Sequence, residues 1–177
     1  AYFKLMPTSN SYFPTLTSSY FEDVYDNTKW NFAVIVEPVK NNQDNMVVGS
    51  DDSEYKVTFC GVNSRLDEVD NSFAVSETIS NTYGKTILSR PKRAFVGSYR
   101  ENLSGSMILA SDAFVTDYRY WLKPLSITDI EKHSFDFKNF GIRDPYRSAY
   151  LFQSGVKDYR VPNIETLALC WNFENLT

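Results

Sequence analysis

The chain has 177 residues, with 12 Tyr, 13 Phe and 3 Trp, 18 basic against 22 acidic side chains, two cysteines and one histidine. A net charge of −4 argues against a general nucleic-acid binder, which carries a basic excess. His133 alone excludes a two-histidine metal site and leaves any Ser or Cys nucleophile a single imidazole as base, so most hydrolase templates are disfavoured.

This length fits one domain that buries roughly 70% of its unfolded surface and needs neither a disulfide framework nor a structural metal. Asn, Ser and Thr are abundant beside the rings, a mixture that suits strands, turns and adaptable recognition surfaces. The opening AYFKLMP has no apolar core of a signal peptide, and the chain reads as an excised domain or a mature product. No run of 18 apolar residues is present, so no membrane-spanning helix is expected. The sequons at Asn102-Leu103-Ser104 and Asn175-Leu176-Thr177 are given no weight in so Asn-rich and Ser/Thr-rich a chain.

In chain order, Thr17 to Asp26 is a weak helix candidate, with Phe21, Val24 and Tyr25 at near-helical spacing. Trp30 to Glu37 (WNFAVIVE) reads as a buried strand closed by Pro38 and an Asn-rich turn. Glu54 to Val62 alternates Tyr55, Val57 and Phe59 against Lys56, Thr58 and Cys60, the pattern of a half-buried strand. Shorter strands are expected at Ser72 to Ile79, Arg93 to Tyr99, Ser106 to Ala110, Val115 to Leu122, Ser134 to Phe140 and Ala149 to Gln153. The best helix is Ser126 to His133, with Ser126 or Thr128 as cap and an acidic first turn. A last strand, Glu165 to Phe173, sets Leu167, Leu169, Trp171 and Phe173 against Thr166, Ala168, Cys170 and Asn172. Eight or nine short strands between polar turns predict an all-β sandwich or barrel with one or two short helices.

The acidic groups Asp51, Asp52, Glu54 and Asp67, Glu68, Asp70 lack the ligand order and glycine of a calcium loop and read as solvated turns. His133, at the end of its helix, reads as a surface residue. Cys60 and Cys170 either pair or stay as thiols, with thiols favoured. The run Arg90-Pro91-Lys92-Arg93 is either a phosphate patch or a solvated strand entrance, more often the second. Three segments mix rings with cations: Tyr118-Arg119-Tyr120-Trp121, Arg143-Asp144-Pro145-Tyr146-Arg147 and Lys157-Asp158-Tyr159-Arg160. Flat faces beside hydrogen-bond forks suit a hydroxyl-rich ligand such as a sugar, against the alternative of core rings with cations reaching outward.

The segments AYFKLMPTS, WNFAVIVEPV, SEYKVTFCGV, YGKTILSRPKRAFV and TLALCWNF resemble, in this order, the cell-attachment head of rotavirus outer-capsid spike proteins. The resemblance covers residues 1 to 9, 30 to 62, 73 to 97 and 157 to 173. The chain is longer than the group A pattern between Leu103 and Val156, and LSITDIEKH has no counterpart, which points to a non-group-A member. The resemblance implies a galectin-like sandwich of two antiparallel sheets over residues 1–177, no catalysis and no cofactor or metal. It also implies a place at the spike tip on the virion surface, after assembly in host cytoplasm or at the endoplasmic reticulum. The implied partners are host cell-surface glycans and the remainder of the spike, with no nucleic acid and no direct membrane insertion.

Sialic-acid-binding members use an Arg, a Val, a Tyr and a late Lys-Tyr-Tyr-Ser segment. By the resemblance these places fall on Ser53, Val75, Tyr83 and Lys157-Asp158-Tyr159-Arg160. With Ser53 in the Arg place, the charge-assisted donor for a sialic carboxylate is missing. A neutral, blood-group-type oligosaccharide is therefore expected over a sialoside, with Arg160 able to restore a cation. Two other classes remain: a β-barrel carrier of an apolar small ligand, and a sandwich-fold glycosidase built on two convergent carboxylates.

Overall fold

Every strand pairing among the described residues is antiparallel, and the strands are joined by only two short helices, so the all-β expectation holds. The computed structural model describes residues 1–7, 12–39, 54–66, 68–111, 113–135, 150–152, 160–162 and 167–173, with 150–152 and 160–162 as backbone only. The chain divides into two compact units, Ala1–Arg90 with Pro124–Ile142, and Pro91–Lys123 with Arg143–Thr177.

The first unit contains strands β1 (Tyr2–Leu5), β2 (Leu16–Tyr20), β3 (Trp30–Pro38), β4 (Tyr55–Arg65) and β5 (Glu68–Ile79), with helices α1 (Asn81–Ser89) and α2 (Ile127–Phe135). Its main sheet has the order β3–β4–β5, and β1 pairs with β2 in a separate ladder. Alternation puts Val57 and Phe59 on one face of β4 and Thr58 and Cys60 on the other. The first face packs with Leu16 of β2 and Ile79 of β5, and Phe3, Leu5, Val36, Tyr55, Phe73, Val75 and Ile87 close around them. This layering of the β1–β2 ladder on the three-stranded sheet is sandwich-like.

On the opposite face Ile35 and Cys60 pack with Ile130 of α2, flanked by Ala33 and Leu125. Polar contacts fix the helix there: Asn31 Nδ2 donates to the Ile130 carbonyl at 2.8 Å. The Ser134 carbonyl, in the last turn of α2, accepts from Ser64 Oγ at 2.8 Å and Lys29 Nζ at 3.3 Å. Residues Val57 through Asn63 are consequently buried without interruption, so the half-buried strand expected at Glu54 to Val62 is instead a central strand covered on both faces. Alternation alone could not reveal that a helix from later in the chain occupies the other face.

Rings dominate the first face. Phe3 lies 4.7 Å from Phe32 and Phe59 lies 5.0 Å from Phe73, both edge to face, while Trp30 stacks on Phe32 at 5.9 Å. Gly61 makes room for this cluster, because a Cβ there would stand 2.4 Å from the Phe73 ring and 3.0 Å from that of Phe32.

Helix α2 matches the expected Ser126 to His133 segment closely. Ser126 Oγ accepts from the Asp129 N–H at 3.1 Å, and its hydroxyl donates to Asp129 Oδ2 at 2.7 Å, a reciprocal cap. His133, expected at the surface, is buried, because the helix turns that side of its last turn away from solvent. The weak helix candidate at Thr17 to Asp26 is wrong. Leu16 and Ser18 alternate inward as β2, and Ser18 Oγ accepts from the Phe3 N–H at 2.9 Å. Asp23 and Asn27 then adopt positive φ in the turn that follows.

Two further expectations are corrected. Of the strand placed at Arg93 to Tyr99, only its end is strand, in β6. Ser134 and Phe135 finish α2 rather than open a strand, and the rest of the expected Ser134 to Phe140 run lies outside the described residues.

The second unit contains β6 (Ser98–Arg100), β7 (Met107–Ala110), β8 (Asp117–Trp121), β9 (Tyr150–Phe152), β10 (Arg160–Pro162) and β11 (Leu167–Asn172), paired as β6–β7, β8–β11 and β9–β10. In the β8–β11 ladder Tyr118 faces Trp171, their rings 5.7 Å apart. Arg119 pairs with Asp117 at 3.3 Å, both side chains nearly buried. Trp171, grouped by pattern with the core, is 41% exposed. Both cysteines are free thiols, Cys60 buried and Cys170 exposed.

Candidate functional site

Helix α1 carries the most distinctive surface chemistry, and its local sequence explains how it does so. Ser80 is its cap, with Oγ accepting from the Tyr83 N–H at 3.4 Å, and the Gly84 N–H donates to the Ser80 carbonyl at 3.0 Å. Gly84 presses the helix onto the start of β4, where a Cβ would lie 2.2 Å from the Tyr55 ring. Ile87, one turn on, joins the hydrophobic core. With Gly84 and Ile87 turned inward, Tyr83 lies at the edge of the buried face and keeps 37% of its surface exposed.

Tyr83 meets Tyr12 edge to face, ring centroids 5.0 Å apart at 71°. The guanidinium carbon of Arg90, the residue that ends α1, stands 5.6 Å from the centre of the Tyr12 ring. Two rings and a planar cation therefore share one patch, although Tyr12 lies far from the other two in sequence. Such a patch offers an apolar face, phenolic hydroxyls and a multi-donor fork. Tyr12 was not among the expected site residues, and Arg90 was weighed only as part of a basic run. Nothing in the local sequence of Tyr12 announces its partner.

Of the expected residues, Val75 sits on β5 opposite Phe59 and packs against the hydrophobic core, whereas Tyr83 occupies the patch on α1. Ser53, Lys157, Asp158 and Tyr159 lie outside the described residues, and Arg160 is described only as the first backbone residue of β10.

The mixed segment Tyr118-Arg119-Tyr120-Trp121 forms β8. Burial and, secondarily, the neighbouring Tyr120 raise the Tyr118 phenol above its ordinary range. Arg119 already faces Asp117, so this segment reads as internal structure more than as an open fork. Burial likewise pushes the Cys60 thiol up to about 11, which keeps it protonated and unreactive at neutral pH. Among the described residues no group of three His, Cys, Asp or Glu side chains is arranged to hold a metal ion. No family model matches the chain, and no curated protein or solved structure is significantly similar to it.

Proposed function

We propose that the chain is the glycan-binding attachment head of a rotavirus-type spike, a lectin without catalysis that holds host cell-surface oligosaccharides at the start of entry. The observation that carries this reading is the half-exposed Tyr83, set edge to face with Tyr12 and with the Arg90 guanidinium alongside. The antiparallel scaffold and the ordered sequence segments are in keeping with it. A neutral, blood-group-type sugar is favoured over a sialoside, since Ser53 stands where the resemblance places an arginine.

In this mechanism a pyranose lays its C–H face against a tyrosine ring while its hydroxyls meet polar tips. One such contact is weak, and spikes repeated over a capsid turn weak contacts into adhesion through effective concentration. A glycan array with the purified chain tests the proposal, alongside Tyr83→Ala and Tyr159→Ala variants of matched melting temperature. The expected result is binding to neutral oligosaccharides that either variant abolishes. An array without binding, or binding that sialidase treatment removes, would count against the lectin or against the neutral preference respectively.

A further inference from the structure

We propose that two copies of the chain join through the outer edge of β3, pairing antiparallel about a two-fold axis at Ala33 to make one continuous six-stranded sheet, three strands from each copy. Such pairing stands or falls independently of the glycan-binding reading.

The main sheet has two edges, and they are unlike. β5 carries the exposed carboxylates Glu68, Asp70 and Glu77, and its register with β4 shifts between Asn63 and Ser64. Charges and bulges of this kind are how an edge strand resists pairing with another chain. β3 has neither from Trp30 to Val36: the run WNFAVIV holds no charge and no proline, and it pairs with β4 residue by residue without a shift. Among the described residues no strand lies against its outer edge, and Phe32 is 44% and Val34 47% exposed. The β1–β2 ladder and α2 pack on the two faces of the sheet. A regular, apolar edge with backbone donors and acceptors turned outward is a template for one more strand.

The order of residues in β3 suits a second copy of itself. In an antiparallel pair directly opposite residues share a face, so only registers that keep Trp30, Phe32, Val34 and Val36 on one side are allowed. With Ala33 on the axis, Phe32 lies opposite the partner's Val34 and Trp30 opposite the partner's Val36, while the small Ala33 meets its own copy. Lys29, just before the strand, then stands opposite the partner's Glu37, and symmetry repeats every pair. Lys29 keeps its 3.3 Å contact with the Ser134 carbonyl, since attraction across the pair needs only the nearness of opposite charges. An axis at Val34 would instead set Trp30 against the partner's Pro38, which has no N–H, and Glu37 against the partner's Asn31. Charge complementarity and an unbroken ladder therefore select the Ala33 axis. An edge of nine residues covers less than the roughly 800 Å² per partner of a standard interface, so the dimer is expected to be reversible and to depend on concentration.

Sedimentation velocity of the full chain over a series of concentrations tests this, and a monomer–dimer equilibrium is the expected result. Val34→Lys, at an exposed position, puts a cation opposite the partner's Phe32; it should remove the dimer and leave the melting temperature of the dilute monomer unchanged. Lys29→Glu and Glu37→Lys each set like charges across the pair twice, and each should weaken dimerisation about tenfold. Mixed in equal amounts, these two variants should associate as strongly as the parent chain, because every charge again meets its opposite. Simple misfolding of either variant would not be rescued by the other.

A chain that stays monomeric at every concentration overturns the inference. So does a dimer that survives Val34→Lys, or a mixture of the two charge variants that does not regain association, since either places the contact elsewhere or in another register.

Discussion

The two units build strands from similar residues and bury them very differently. In the first, β4 has a strand on each side, the β1–β2 ladder on one face and α2 on the other, so Val57 and Cys60 have no exposed surface. In the second, the described strands pair two by two, and every residue of the apolar β7 (MILA) is exposed. Apolar composition is therefore no guide to burial here. What distinguishes β4 is that sequence-distant elements cover both of its faces, and burial, not residue type, sets the energetic weight of a side chain.

The sharpest way to break this comparison is at Gly61. A valine there drives its side chain into the Phe73 and Phe32 rings, and the expected loss is about 3 kcal/mol, the upper range for overpacking. Denaturant unfolding of Gly61→Val measures it, and a loss near zero would mean that the ring cluster is loose.

The second test is pH. Burial holds the Cys60 thiol at about 11 in the fold against an ordinary 9.0. Between those values the unfolded chain gives up a proton that the fold retains, so stability attributable to this group is full below pH 9.0 and falls as pH rises towards 11. A Cys60→Ala variant should lack this alkaline decline. In the folded chain at neutral pH a thiol reagent should label exposed Cys170 first.

Ser126→Ala removes the α2 cap and should cost about 1 kcal/mol, because the helix is short and the cap satisfies a donor at its first turn. The smallest effect is expected in the second unit: Leu109, 63% exposed on β7, should tolerate replacement by serine within about 0.5 kcal/mol. A large loss at Leu109 would show that this ladder is covered in solution and would erase the contrast.

Much of the strand framework was legible because period-two alternation is local. Trp30 to Glu37 became β3, although not as the buried strand expected, since only Ile35 in it is buried and Phe32 and Val34 are exposed; Ser72 to Ile79 became the end of β5, and Glu165 to Phe173 contains β11. Ser126 announced α2 because capping is a property of adjacent residues. Helix α1 was not legible. Gly84 reads as a breaker, yet a side chain there would run into the Tyr55 ring, so the close packing of α1 on β4 calls for glycine. β2 was misread because Phe21, Val24 and Tyr25, which follow it, sit at near-helical spacing, and only the ladder with β1 shows that Leu16–Tyr20 is extended.

The candidate site divides in the same way. Tyr83 came from a resemblance in the sequence, while its partnership with Tyr12 and Arg90 came from the fold. Sequence by itself determined the all-β character, the absence of a two-histidine metal site and the position of α2, since each depends on composition or on neighbours a few residues apart. The tertiary structure decided that β4 is covered twice, that His133 is buried and that Trp171 is exposed. It also decided that Tyr12 meets Tyr83. These outcomes depend on which distant segment shares a surface, and a linear pattern of polar and apolar residues does not encode that choice locally.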